Sequence, residues 1–369
     1  MVTASRSGAR AAAAVVAVCL GVTAAPASGE PPSGPGARAV EAAAAPPPVR
    51  TIDPARLRRG PDATFAHLQD GWIHAGGRRI RVKVRADKGR QVLLGRSDGA
   101  WIVASWTKKR RGGATVRVHR IRAGRAPVPM PWAGLRGSGV GIRLSRDGQQ
   151  VLLTVGSRGG LDLWVLRTRD GAEIATDTTG PSLCTQPYDA AGGRVLLHRQ
   201  PAGEPDVTYA ADWAPATGTD RRLGPGLNAG FLRQDVVFVG PAPGTPGPYA
   251  YGPTSISAPG TPAWSARFTA LAVSPDKKLV IGTGPRRVKR RAVLQVRRMS
   301  DGKILQQLAY GAPGQVADQT ARFETSSRFV FELTTRGRSR LVRCTTAGKC
   351  ARASDAGGPL SASHELVQW

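Results

Sequence analysis

Ser145-Arg146-Asp147-Gly148-Gln149-Gln150-Val151-Leu152-Leu153 is a polar turn that runs straight into an apolar strand. Ser274-Pro275-Asp276-Lys277-Lys278-Leu279-Val280-Ile281 repeats the plan. Asp and Ser side chains bond their own backbone in tight turns, and Gly at the fourth place suits a left-handed residue. Weaker echoes follow along the chain. The apolar strands after each turn centre near Ile102, Val151, Val195, Val236, Leu279 and Phe329, at gaps of 49, 44, 41, 43 and 50 residues. A four-stranded propeller blade takes about 40–50 residues, so the repeat predicts an all-β propeller.

The second unit shows the blade plan most clearly. Strands A to D are expected at residues 141–144, 150–155, 161–167 and 173–176, with Asp147-Gly148 and Asp170-Gly171 as tight turns. The fifth repeats it at 270–273, 279–282, 293–297 and 304–308, with Asp301-Gly302 before the last strand. The sixth runs 322–324, 329–334, 341–344 and 350–353. In the third and fourth only strand B is legible, because Gly and Pro crowd residues 240–253.

Residues 64–67, 72–75 and 79–84 read as three strands of a unit that lacks its first. Residues 365–369 read as one strand without a unit. Joining them removes the open sheet edges and gives a seventh, composite blade closed by both termini. A six-bladed ring is the alternative if 365–369 stay loose.

The Ser-Pro-Asp phrase before an apolar strand resembles the repeat of WD40-like and TolB-like β-propellers. The stretch from Phe323-Glu324 through Leu341-Val342-Arg343-Cys344 to Cys350-Ala351-Arg352-Ala353 resembles the last blade of secreted actinobacterial propeller proteins of unknown function. The likeness covers about residues 62–369. It implies the architecture and carries no catalytic residue. Lys277 stands where that repeat has Gly, and no unit ends in a Trp-Asp pair.

Composition agrees with an all-β chain. Among 369 residues, 46 are Gly and 29 Pro, and aromatics make up only 5%. Residues 1–27 read as a secretory signal: Arg6 and Arg10, an apolar run from 11 to 25, and Ala25-Pro26-Ala27 as a small-x-small cleavage site. An uncleaved anchor is the alternative. Residues 28–60, rich in Pro and Ala, read as a disordered linker, and 61–369 as the propeller. The expected location is secreted or extracytoplasmic.

Export exposes cysteines to oxidation. Cys344 and Cys350 flank a five-residue turn on facing strands, a spacing that suits a disulfide across a hairpin. Cys184 is left over and reads as buried and inert.

No motif speaks for catalysis. The five histidines, His67, His74, His119, His198 and His364, form no metal-ligand pattern, and no cofactor or metal is expected. The glycine-rich run 137–141 joins two strands and opens no helix, so it reads as an inter-blade turn. Asp98, Asp147, Asp170, Asp276 and Asp301 occupy turns. A hydrolase or lyase site at the channel mouth is the alternative function, because strands there can bring carboxylates together.

The strongest functional signal is charge. The formal net charge is +28, and removal of residues 1–27 leaves +26. Arg-rich, Asn-poor usage is also the mark of a GC-rich genome. The placement is more specific: Lys108, Lys109, Arg110 and Arg111 lie between strands B and C of the first unit. Arg286, Arg287, Lys289, Arg290 and Arg291 hold the same place in the fifth, Arg336, Arg338 and Arg340 in the sixth, and Arg158 in the second. All B–C loops of a propeller leave on one face. These make a basic arc broken only by the composite blade. The expectation is a monomeric, non-catalytic binding module whose basic face docks on an anionic cell-surface polymer, anionic lipid or acidic protein. Nucleic acid is less favoured, since no aromatics interleave the clusters.

Overall fold

The protein is described from a computed structural model over residues 45–84, 91–108, 114–131, 136–137, 141–157, 160–177, 185–200, 207–240, 250–310, 321–335, 338–358, 360–362 and 367–368. Seven antiparallel sheets form a seven-bladed β-propeller. No α-helix occurs among the described residues.

The second blade follows the expected plan: Gly141–Leu144, Gln150–Ser157, Gly160–Arg167 and Glu173–Asp177. The fifth does so with longer strands: Thr269–Val273, Leu279–Val288, Arg291–Arg298 and Ile304–Tyr310. The third is Gln186–Ala191, Arg194–Arg199, Tyr209–Ala214 and Thr219–Pro225, regular despite its weak sequence pattern.

Period-2 alternation builds the core between blades. Val151 and Leu153 pack on the first blade with Leu94, Ile102 and Val118, while Leu152 points the other way, to Val195, Leu197 and Ala211 of the third. The same rule yields one apolar layer at each of the seven blade boundaries. Each fully buried aliphatic side chain contributes about 1.5–3 kcal/mol.

The repeated phrase clamps these boundaries from the polar side. The Ser145 hydroxyl donates to Asp147 Oδ1 at 2.6 Å, and Asp147 accepts Gln149 N within its own turn. Its other oxygen accepts Gly192 N of the third blade at 2.7 Å. In the fifth blade Ser274 donates to Asp276 at 2.6 Å, and Asp276 accepts Lys278 N. Gly148 has φ +74, and a Cβ there would lie 2.1 Å from Arg96 O. Lys277 takes the matching left-handed place, at φ 60.

Closure differs from the expectation in two details. The composite blade is Leu360–Ala362, His67–Gln69, Trp72–Ala75 and Arg78–Arg81. The closing strand is therefore 360–362, where Leu360 and Ser361 pair with Gln69 and Leu68. Of the expected closing strand 365–369, the described part, Val367–Gln368, pairs instead with Gly141–Leu144 of the second blade. The expected linker is also corrected in its last part. Val49–Thr51 adds a parallel fifth strand to the outer edge of the fifth blade, beside Gln307–Ala309. Ile52 is buried in the same layer as Leu308 and Phe331. An apolar residue inside a Pro-rich stretch finds an uncovered strand edge, which sequence composition does not show.

Candidate anion-binding face

Antiparallel order within each blade puts A–B and C–D turns at one end and B–C turns with the D–A connections at the other. The ring therefore brings the B–C ends of the described strands to one face.

The fifth blade carries the best-defined basic hairpin. Arg287 pairs with Ala292 and Val288 with Arg291, which leaves Lys289-Arg290 as a two-residue turn. Both are left-handed, at φ 49 and 64. Such a turn matches the twist of its strands but favours Asn-Gly, and a non-glycine residue there costs about 1–2 kcal/mol. Among the described residues the other left-handed non-glycines are Asp70, Asp98, Asp235 and Lys277. Arg287, Lys289 and Arg290 are exposed, and none has a carboxylate partner among the described residues. Arg286 lies in strand B and Arg291 opens strand C.

The remaining clusters are placed as follows. Lys108 ends strand B of the first blade, Ala100–Lys108, and Lys109, Arg110 and Arg111 lie outside the described residues. Arg158 and Arg336 do as well. Arg338 is exposed at the start of strand C of the sixth blade, where its Nη2 donates to Ala356 O at 2.7 Å. Arg340 is half-buried and its Nη1 donates to Pro54 O at 3.3 Å. Part of their donor capacity is used locally: Arg338 holds the chain that leads out of strand D, and Arg340 holds the N-terminal segment that follows Val49–Thr51.

The composite blade supplies basic residues that the loop-by-loop reading missed. Its B–C turn, Asp70-Gly71, bears no cation. Its outer strand ends on the same face and carries exposed Arg78, Arg79 and Arg81, followed by exposed Lys83. The guanidinium carbons of Arg79 and Arg81 each lie 5.1 Å from the ring centre of Trp72. Trp72 and Arg81 are direct cross-strand partners. The signal was present in sequence as the basic run 78–83 after a Gly-Gly turn, but it sat in a strand.

Carboxylates do meet, and arginine neutralises them. Arg199 contacts buried Asp177, and its Nε lies 2.6 Å from Asp220 Oδ2. Burial pushes the Asp220 carboxyl up, while Arg199 pulls it down. Buried Asp212 is held by Arg194 and by Arg221 at 2.9 Å. These are charge-assisted clamps rather than an acid beside a base. His67 and His74 stack at 4.8 Å across the composite blade. Burial lowers His67 to about 4, with the neighbouring His74 adding to it. His198 is lowered by burial, and Tyr188, which rests against it at 6.4 Å, is raised by burial. His364 and Cys184 lie outside the described residues. Among the described residues no group of three or more His, Cys, Asp or Glu side chains is arranged to hold a metal ion.

The expected disulfide is present. Cys344 and Cys350 are cross-strand partners with Cα atoms 4.1 Å apart.

No family model matches the chain, and no curated protein matches it by sequence. Solved structures resemble it in architecture. The β-propeller domain of the Trilobed protease from Pyrococcus furiosus is 13% identical, covering 76% of this chain and 95% of that one, with a TM-score of 0.48. BamB from Moraxella catarrhalis is 14% identical, covering 83% and 87%, with a TM-score of 0.45. A puromycin-hydrolyzing peptidase from Mycobacterium tuberculosis is 14% identical over 82% of this chain but only 53% of that one, with a TM-score of 0.49. At these identities the likeness concerns the propeller fold alone.

Proposed function

We propose that the protein is an exported, non-catalytic binding module whose B–C face docks on an anionic cell surface or acidic partner. The observation that carries this reading is the tip of the fifth blade. Two adjacent cations, Lys289 and Arg290, occupy a turn that Asn-Gly would form with less strain. Strained backbone gathers at functional positions, and what this strain maintains is exposed, unpaired positive charge. An apolar mode of docking has little support, since Val128 is the one large hydrophobic residue exposed among the described residues. The apolar run 11–25, its small-x-small end and the Cys344–Cys350 disulfide support export.

Binding to anionic and neutral liposomes and to purified anionic wall polymer, at graded salt, tests the reading. Retention on the anionic surfaces that falls as salt rises is expected, with Lys289→Gln/Arg290→Gln weaker at low salt. Equal, salt-insensitive retention on all surfaces would overturn it.

A further inference from the structure

The composite blade has no basic B–C turn, yet it is not a gap in the face. We propose that Trp72, Arg79 and Arg81 form a clamp for a linear phosphodiester polymer that carries no bases. This rests on the docking reading above and extends it across the closing blade.

Four observations converge. First, Arg79 and Arg81 lie two residues apart on one strand, so both stand on the same side of it, about 7 Å apart along its length. Second, both guanidinium groups lie against one indole, at 5.1 Å each. Cation–π contact with Trp is the strongest of its kind, so it holds two flexible side chains in place before a ligand arrives. Third, both arginines are exposed, and neither has a carboxylate or hydrogen-bond partner among the described residues. Their donor forks are free, in a chain where Arg194, Arg199 and Arg343 are each spent on buried or half-buried carboxylates. Fourth, Lys83 continues the charge toward the face that carries the fifth-blade hairpin. Charged residues also discourage edge-to-edge pairing of an outer strand. That purpose would be met by any charge and does not call for an indole shared by two arginines.

The geometry selects the ligand class. Arginine forks match phosphate oxygens in a bidentate manner. A phosphodiester repeat with a three-carbon spacer has six backbone bonds. Three bonds of similar length span about 3.8 Å, so its charges recur about every 7 Å when extended. That matches the backbone step between Arg79 and Arg81 along their strand. A nucleic acid strand also has six bonds per repeat, but it gains affinity by stacking bases on open aromatic faces. Here the indole already carries two guanidinium groups, so bases add nothing.

The test uses the full chain and three probes: poly(glycerol phosphate), an oligothymidylate of equal charge, and polygalacturonate. Variants are Arg79→Gln/Arg81→Gln, Arg81→Lys and the hairpin variant Lys289→Gln/Arg290→Gln. All are exposed positions, where substitutions usually change stability little. Poly(glycerol phosphate) is expected to bind most tightly. The Arg79→Gln/Arg81→Gln variant should bind it about tenfold more weakly at low salt and flatten the log–log salt slope by about 1.4, the value for two lost phosphate contacts. Arg81→Lys should keep the slope and lose about threefold, since it retains charge and loses the fork. Wild-type binding by Arg79→Gln/Arg81→Gln, with weakening in the hairpin variant, would overturn the clamp and leave the docking face standing. Wild-type binding by every variant, or no binding to any probe, would overturn the clamp, and the docking face then stands or falls with the liposome series above. Oligothymidylate or polygalacturonate bound as tightly as poly(glycerol phosphate) would overturn the ligand class.

Discussion

Arg146 Nε donates a 2.7 Å hydrogen bond to Oδ1 of Asp189, across the boundary between the second and third blades. Asp189 is buried at 1% exposure, and its second oxygen accepts Leu232 N of the fourth blade at 2.9 Å. The Arg233 Nη2 returns from the fourth blade to Arg146 O at 2.8 Å. One carboxylate thus ties three consecutive blades at the end where the repeated phrase turns. Asp189→Ala removes the acceptor and leaves a guanidinium and a backbone N–H without a partner. Denaturant unfolding is expected to show a loss of about 3–5 kcal/mol. A loss under 1 kcal/mol would show that the blades are held by their apolar layers alone.

Gly148 and Lys277 stand at matching places in the two phrases and invite opposite substitutions. Gly148→Ala drives a Cβ into Arg96 O and should destabilise the protein by several kcal/mol, on the scale of overpacking in a closed site. Lys277→Gly relieves a left-handed non-glycine residue and should raise stability by about 1 kcal/mol. Thermal melts of both variants check the pair. Its lesson concerns the turn: both phrases need a positive φ, but only one is packed so tightly that side chains are excluded.

The buried His67 predicts a pH dependence. In the fold its pKa is lowered from 6.5 to about 4, first by burial and then by His74. His74 is itself lowered by burial and by Arg79, while Asp62 pulls both rings weakly the other way. The unfolded chain therefore binds more protons between about pH 4 and 6.5. Stability is complete above pH 6.5 and falls as pH drops through that window, by on the order of 3 kcal/mol. His67→Phe should flatten the slope of unfolding free energy against pH in this range. An unchanged slope would place the dependence elsewhere.

Loss of the Cys344–Cys350 bridge should cost little. The two residues are six apart, so the loop it closes is short. In the loop-closure view the bridge contributes on the order of 2 kcal/mol. Cys344→Ala/Cys350→Ala should lower the melting temperature by a few degrees, because Cys344 is also part of the apolar layer with Phe329 and Val342. Complete unfolding would show that the sixth blade depends on the bridge to keep its place in the ring.

The neutral pair His67–His74 and the Glu324 carboxylate meet the same boundary from two sides. Glu324 takes Arg343 Nε at 2.5 Å and Thr64 N at 2.7 Å, which ties the sixth blade to the chain that enters the composite blade. Its pKa is lowered by the hydrogen bonds from Arg343 and Thr64, against a burial effect that raises it. Glu324→Gln should therefore weaken the protein near neutral pH, and the deficit should shrink as acid protonates the wild-type carboxylate. Unfolding measured at pH 7 and at a series of pH values below 4.5 checks this.

Period and turn chemistry were sufficient for the repeat and the blade plan of the second, fifth and sixth units; cysteine spacing pointed to the disulfide, and leftover strands at both ends pointed to seven blades over six. The reason is physical: a two-residue alternation and a Ser-x-Asp turn act over a few residues, and identical short-range rules recur in each blade. What lay beyond the sequence was long-range. That Val49–Thr51 would cover the fifth blade, and that residues 360–362 rather than 365–369 would close the ring, depends on which strand edges remain open after the blades have formed. The basic face was legible where cations fell in loops, as at Lys289 and Arg290. At Arg79 and Arg81 the sequence showed a basic run but not its arrangement, because only the pairing of their strand with Trp72 brings both guanidinium groups onto one indole. Local rules made the blades; the ring decided which charges share a surface.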